Sequence, residues 1–493
     1  MRVSDGARFF AKNVLYYYLM GKEKLRKLSN HSLAQSLKKR QNQDKFSLKS
    51  LRFHHMISSL RRLFETFPDN RSRQNISKNF NDAAMGAFSL FFTQSPSFLA
   101  YQKLMRQSEG MDNAQNIFGI QELLSDNHIR NLMDEVSPSL IFPFFEEIFH
   151  ALKRDDYLSS FRSYNNNLLL GLDGTQYYSS KNICCDSCCQ RTHVSGKLKK
   201  VTYSYFHSVV MAAFVHPEKR QVISLPPEYI TPQDGSEKQD CELNASRRWI
   251  NTYGMRMRYA SEGITILGDD LYCHHPFCQH LLEQGFDFIL TCKPTSHKTL
   301  YEYVAFMEDD IQILDKRRWT GRRWLVDRYR YINGVPLRDG KETDTLEVNW
   351  FELITTVEQT GEVLFHNSWA TNFEINQENI IQLVVDGRAR WKIENENNNV
   401  LKTKGYHLEH NFGHGKKYLS QVFLTLNLLA FLMHTVLEMV DAKYKRLRMA
   451  VGTRKTFFND IKTLTKYMCF SSWNQMMIFM LKGLKLPIPD DTS

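Results

Sequence analysis

The sequence predicts an α/β protein: a mixed sheet flanked by helices, interrupted by a β-rich insertion and preceded by a helical N-terminal region. Three observations carry this prediction. The first 160 residues hold apolar positions at helical spacing. From about residue 165, short apolar runs of strand length alternate with helical stretches. Two of those runs stop at an aspartate, and open α/β sheets place their chemistry at the carboxyl ends of strands.

Met1 to about Ser160 reads as helical, with Phe53-Met56-Leu60-Leu63 and Ile141-Phe144-Ile148-Leu152 each lining one helix face. Pro143 falls near the start of the second set, where a helix tolerates it. Ser125-Asp126 ahead of His128-Ile129 predicts a short helix opened by a side-chain cap. Leu168-Leu169-Leu170-Gly171-Leu172 suits a buried strand and stops at Asp173. Val209–Val215 and Gln221–Leu225 predict paired strands around the turn His216-Pro217-Glu218-Lys219. Lys238 to about Ala260 reads as a helix. Gly263–Gly268 is a second buried strand, stopping at Asp269-Asp270, and a short helix from about Pro276 ends at Gly285. Phe286–Thr291 is a third buried strand. Lys293 to Phe373 is strand-rich and polar, with a turn expected at Gln359-Thr360-Gly361. Helical character returns near Asn379, is interrupted at Gly405, and ends in a long apolar helix and a basic helical segment.

With 493 residues, 42% hydrophobic and 24% charged, the chain has room for about two to four ordinary globular domains. Charge is unevenly spread. Residues 1–80 hold 18 Lys and Arg against 5 Asp and Glu, an excess of 13 positive charges, so a total of +11 leaves the remainder near −2. That asymmetry points to a partner carrying phosphates, nucleic acid or an anionic membrane, with a solvated helical surface as the lesser alternative. Nine cysteines, an odd number in a long basic chain, do not form a secreted disulfide framework. Arg8, Lys12 and Lys22 break any apolar leader, so a cytoplasmic setting is expected. Tyr418–Val440 is long enough to span a bilayer, but Gln421, Asn427, His434 and Glu438 are costly in lipid; a core helix is expected and no membrane partner.

The chemistry-bearing residues are acids. Asp173 in Leu172-Asp173-Gly174-Thr175 and Asp269 in Gly268-Asp269-Asp270-Leu271-Tyr272 each close a buried strand, and Gly174 leaves room for a ligand or backbone to approach. Each aspartate alone is also explained as a strand end opening a turn, and Asp270 rivals Asp269. Glu394 stands four residues after Arg390, on one helix face, an arrangement that also suits a structural ion pair. Three carboxylates offer the hard oxygens that Mg²⁺ and Mn²⁺ accept. No Gly-x-x-x-x-Gly-Lys-Ser/Thr loop is present, so nucleotide hydrolysis is not expected.

These motifs, with Arg388-Ala389-Arg390-Trp391-Lys392-Ile393-Glu394-Asn395, Leu401-Lys402, Gly405-Tyr406 and His410-Asn411-Phe412-Gly413-His414-Gly415, resemble the DDE transposases of bacterial insertion sequences. The resemblance is to the branch with a β-rich insertion before the catalytic glutamate, and it spans roughly Asp173 to Leu437. It implies an RNase H-like core and a two-ion Mg²⁺ or Mn²⁺ site on Asp173, Asp269 and Glu394. It further implies cleavage at transposon ends followed by attack of the freed 3′-hydroxyl on target DNA, and an oligomer bracketing two DNA ends. Arg390 and Lys402 would contact DNA or position Glu394. Two positions depart from the family signature: Gly387 stands where it has Tyr, and Lys402 falls one residue late. Asp269 is preferred over Asp270 because the family's second aspartate has a Tyr three residues on, here Tyr272.

On this reading the chain divides into a basic, DNA-binding helical region (1–160), the first part of the catalytic core (161–292), the β-rich insertion (293–377), the second part with the catalytic helix (378–442), and a basic helical tail (443–493). Further DNA contacts are expected from Arg388, Lys416 and Lys417, the last two beside glycines whose backbone can approach phosphate. Arg52-Phe53-His54-His55, Arg61-Arg62, Arg71 and Arg73 are candidates for transposon-end DNA. Cys184, Cys185, Cys188 and Cys189 with His193, folded against Cys273-His274-His275 and Cys278, would make a zinc site; free thiols are the alternative. A transposase-derived DNA-binding protein that no longer cuts is the rival function.

Overall fold

Strands from both halves of the chain join one eleven-stranded mixed sheet in the computed structural model, which describes residues 50–69, 71, 79–105, 108–195, 200–232, 240–338 and 345–489. All of these lie in one compact unit beginning at Ser50. Twelve of the eighteen N-terminal cations precede it, in residues 1–49, outside the described residues together with Arg73.

The strands are β1 (Leu168–Ser180), β2 (Cys189–Ser195), β3 (Lys200–Val215), β4 (Ile223–Ser224), β5 (Glu228–Ile230), β6 (Ile264–Gly268), β7 (Asp287–Thr291), β8 (Gln312–Trp319), β9 (Trp324–Leu337), β10 (Leu346–Val357) and β11 (Val363–Thr371). Their order across the sheet is β2-β3-β1-β6-β7-β11-β10-β9-β8, with β4 and β5 also on β3. β1 and β3 are antiparallel, β1, β6 and β7 run parallel, and the rest is antiparallel. The parallel centre is buried throughout, as all five residues of β6 are, because helices cover both of its faces.

Two expectations change. β1 does not stop at Asp173 but runs seven residues further, because β3 continues to pair with it beyond Asp173↔Met211. The β-rich block is not separate from the core sheet: β11 pairs with β7 (Trp369↔Thr291), so β8–β11 extend that sheet outward. This block, expected to be strand-rich from Lys293, opens with a helix, Lys298–Phe306; Leu300 and Val304, four apart, are its buried positions.

The helices before the sheet are α1 (Phe53–Phe64), α2 (Phe80–Phe92), α3 (Phe98–Met105), α4 (Ser108–Phe118), α5 (Asp126–Met133) and α6 (Phe142–Arg154). Ser125 caps α5 by accepting from the His128 amide, as its sequence position predicts. Within the sheet come α7 (Glu242–Trp249), α8 (Met255–Ala260), α9 (His275–Glu283) and α10 (Lys298–Phe306). After it come α11 (Ile380–Arg388), a π-helical turn (Ile393–Asn398), α12 (Asn399–Thr403), α13 (Leu419–Val440), α14 (Ala442–Val451), α15 (Arg454–Tyr467) and α16 (Trp473–Gly483).

Helix α13 is the one described helix long and apolar enough to cross a membrane, and 89% of its most apolar stretch is buried inside the protein. Three of its polar side chains have partners there. Asn427 donates to the Tyr406 carbonyl (2.9 Å), His434 Nδ1 meets the Tyr406 hydroxyl (2.7 Å), and Glu438 accepts from Arg454 (3.2 Å). Burial holds His434 well below its ordinary pKa, hence neutral. The C-terminal helices pack back on the N-terminal ones: Trp473 stacks on Phe53 at 4.6 Å, and Asn113 donates to the Thr465 and Met468 carbonyls. Truncating a buried aromatic such as Phe53 to Ala costs roughly 3–5 kcal/mol.

Candidate active site

The parallel register sets the first two acids side by side. Gly171 pairs with Leu267, so Asp173 and Asp269 each stand two residues past the same level on adjacent strands. The third arrives on the π-helical turn, which lies against β1 at Gly171. A Cβ there would stand 3.1 Å from the Ile393 Cβ, so a side chain at 171 would hold Glu394's turn off the strand. The turn's far end holds Asp173: Asn398 Nδ2 donates to Asp173 Oδ2 (2.7 Å), Asn397 to Asn398 Oδ1 (2.9 Å), and the Ser224 hydroxyl to Asn397 Oδ1 (2.7 Å). This polar chain through buried residues fixes the direction in which Asp173 presents its other oxygen.

A fourth carboxylate, which the sequence reading missed, belongs to the same group. Glu242, in the first turn of α7, accepts from the Gly174 amide (2.9 Å) and the Tyr272 hydroxyl (2.7 Å). The space left by Gly174 is therefore filled by this side chain: a Cβ would lie 2.0 Å from Glu242 Oε2. Tyr272, three residues after Asp269, is thus a residue that holds Glu242. An acid opening a helix is common, so the sequence carried no signal that set Glu242 apart.

Burial pushes Asp173 up to about 7; the charge of Glu242 adds to this, Arg390 opposes it, and Asp269 and Glu394 add further. Glu242 is itself raised, by burial first, against the Tyr272 hydrogen bond. Acids from four separate segments thus share one electrostatic neighbourhood. Asp173, Asp269 and Glu394 do not close on a single point, however. Among the described residues only two cysteine–histidine groups bring three or more such ligand atoms within 4.8 Å of one another.

Asp270 faces a different set of partners. It accepts from the Lys293 amide (2.6 Å) and the Ser296 hydroxyl, and lies 3.3 Å from His297 Nε2. Burial would raise it, but hydrogen bonds from His297, Ser296 and Lys293 outweigh that and hold it below its ordinary value. Asp270 therefore secures the segment between β7 and α10.

The candidate DNA-contacting cations are dispersed. Arg390 sits with the acids, 3.4 Å from Glu394. Arg388 lies over the Phe365 ring (4.5 Å) and Lys402 pairs with Glu409 (3.1 Å). The loop before α13 does form an anion cradle, but the protein fills it: the amides of Lys416, Lys417, Tyr418 and Leu419 all donate to the Asp134 carboxylate at 2.9–3.1 Å, and the Lys417 ammonium meets Glu135 (2.7 Å). Those amides are thus satisfied internally rather than turned toward phosphate. Near the N-terminus, Arg61 donates to the Gly119 carbonyl and Arg71 pairs with Asp69.

The two cysteine clusters do not combine as expected. Cys185 and Cys188 gather His207 and His414, whereas Cys273 gathers Cys292 and His297, all buried and next to Asp270. Strand pairing explains the difference. Cys189 opens β2 opposite Phe206, so the preceding cysteine turn lies beside His207 on β3. His193 is instead hydrogen-bonded to Ser204 (2.7 Å), and the Cys189 thiol faces the Ile230 carbonyl.

No protein-family model matches the chain, and no curated protein matches it.

Proposed function

We propose that the protein is a DNA transposase of the DDE type with an RNase H-like core, cutting transposon ends and joining 3′-hydroxyls to target DNA. The observation that carries this reading is that Asp269 and Glu394, far from Asp173 in sequence, lie near enough for their charges to add to the burial and the Glu242 charge that push the Asp173 carboxyl up to about 7. An acid partly withdrawn from water among like charges, as Asp173 is, is costly without a cation, and such a perturbed acid beside further acids is a marker of a functional site. The sheet supports the fold reading: two antiparallel strands, β3 and β1, continue into the parallel pair β6 and β7, and the helical segment bearing the third acid packs on the central strand.

The donor set suits Mg²⁺ or Mn²⁺, which Asp173, Asp269 and Glu394 would hold as a pair of ions. Bound there, such a pair supplies an activated water or 3′-hydroxyl and stabilises the leaving oxygen of an in-line phosphoryl displacement. The chain's own groups do the positioning. Asn398 orients Asp173, Arg390 is steered by Glu394 and can meet a phosphate, and Glu242 braces the Gly174 backbone. Double-stranded DNA is the partner, engaged also by the basic N-terminal segment, and an oligomer would bracket two ends.

The test is cleavage of labelled DNA carrying the element's ends, with Mg²⁺, Mn²⁺ or EDTA. Metal-dependent nicking that is lost in Asp173→Ala, Asp269→Ala and Glu394→Ala and kept in Asp270→Ala is expected. Binding without cleavage under every condition would favour a non-cutting DNA-binding relative, and activity indifferent to Glu394 would overturn the site.

A further inference from the structure

Four side chains from three segments meet beside the paired strands β1 and β3. Cys185 and Cys188 lie on the turn between β1 and β2, His207 lies on β3, and His414 lies between Gly413 and Gly415 ahead of α13. Cys188 Sγ stands 3.9 Å from Cys185 Sγ, 3.3 Å from His207 Nε2 and 3.5 Å from His414 Nε2, and Cys185 Sγ stands 3.6 Å from His207 Nε2. A tetrahedron built on Zn–S of about 2.3 Å and Zn–N of about 2.05 Å has edges of roughly 3.8 Å between sulfurs and 3.6 Å between sulfur and nitrogen. The observed separations fall within about 0.3 Å of those edges. The two sulfurs are much too far apart for a disulfide, whose bond is about 2.05 Å.

We propose that Cys185, Cys188, His207 and His414 form a structural zinc site that clamps the β1–β2 turn and strand β3 to the loop before α13. Three features support a metal over a chance meeting of side chains. His207 and His414 are 1% and 8% exposed, and their Nε2 atoms turn toward sulfur, a poor hydrogen-bond partner for a buried imidazole. The Cys185 amide points at Cys188 Sγ (3.4 Å) and the Cys188 amide at the Cys185 carbonyl (3.0 Å), a compact turn that aims both sulfurs inward and supports a thiolate. The set is two sulfurs and two imidazoles, the borderline-soft tetrahedral environment that selects zinc over Mg²⁺ or Ca²⁺. With four protein ligands no position is left open for substrate, so this zinc holds structure and takes no part in the chemistry at Asp173. Tyr178, on β1 beyond Asp173, lies against the His414 ring at 4.5 Å, so the clamp braces the strand that carries the first acid.

The experiment is metal analysis of the full chain, purified under reducing conditions after growth with zinc. Wild type is expected to hold one equivalent more zinc than Cys188→Ser or His414→Ala. Cys184→Ser and Cys189→Ser, neighbours outside the tetrahedron, should keep the wild-type content. Reading the site as a difference separates it from any metal taken by Cys273, Cys292 and His297. Because a ligand variant can misfold, wild-type protein is also exchanged with Co²⁺. Thiolate-to-cobalt charge-transfer and tetrahedral d–d bands, displaced by added Zn²⁺, are expected. Wild-type protein with no stoichiometric metal and no cobalt bands, zinc content unchanged in Cys188→Ser, or a Cys185–Cys188 disulfide in the reduced preparation would each overturn the proposal.

Discussion

Replacing Asp173 by Asn should stabilise the metal-free protein even as it destroys activity. The carboxyl's ordinary value is 3.8, and burial with the charges of Glu242, Asp269 and Glu394 pushes it up to about 7. A carboxyl raised on folding contributes its stability below the unfolded value and loses it as pH rises through the folded value. The gap between 3.8 and about 7 is worth about 4 kcal/mol at 1.36 kcal/mol per pKa unit, all of it lost by pH 8. Asn is neutral at every pH and keeps an oxygen for the Asn398 amide. In EDTA at pH 8, Asp173→Asn should therefore be more stable than wild type by about 3–4 kcal/mol, a rise of roughly 4 °C in Tm for a body of this size. At pH 4 the advantage should fall below about 1 kcal/mol. Denaturant unfolding at both pH values measures this, and Mg²⁺ should narrow the gap by stabilising wild type alone. Equal stability at pH 8 in EDTA, or a gain that does not depend on pH, would refute the electrostatic account of the site.

Glu242→Gln keeps an acceptor for Gly174 and Tyr272 while removing a charge; the gain from Asp173→Asn at pH 8 should shrink in that background, which a double-mutant cycle reads directly. Asp270→Ala should keep metal-dependent cleavage but lose roughly 1–3 kcal/mol by stranding its partners from Lys293 to His297. Because the folded pKa of Asp270 is depressed, that loss should appear above about pH 4 and fade as pH falls through its folded value. Gly387→Ala gains up to about 1 kcal/mol of helix propensity, but its Cβ would meet Trp369 Nε1 at 2.8 Å and Ile289 Cγ2 at 3.0 Å, so a net loss of about 1–2 kcal/mol in thermal unfolding is expected.

The fold was legible where periodicity and burial agree. The strands at Ile264 and Asp287 and the core helix at Leu419 are apolar runs of the right length and form as their patterns predict, and the strand at Leu168 starts where its run does but continues past it. Asp173 and Asp269 were visible because each follows such a run. What stayed hidden depends on pairing across distance. Nothing local to Glu242 indicates that it wedges against Gly174, and no spacing rule links Cys185 and Cys188 to His207 and His414. A sequence also does not show that the amides before α13 are already occupied by Asp134, or that β11 zips onto β7. Gly387 has a local cause: Trp369 and Ile289 occupy the space a side chain there would need.

The π-helical turn between Ile393 and Asn398 closes over one more residue than an α-helical turn does. Each residue of an α-helix advances the chain by about 100°. Deleting Asn395 or Glu396 would restore regular winding and swing Asn398 away from Asp173 while leaving Glu394, Asn397 and Asn398 in the sequence. The geometry of the acid pocket is thus written partly as a length, and it is open to loss by a three-nucleotide deletion that alters none of its functional residues.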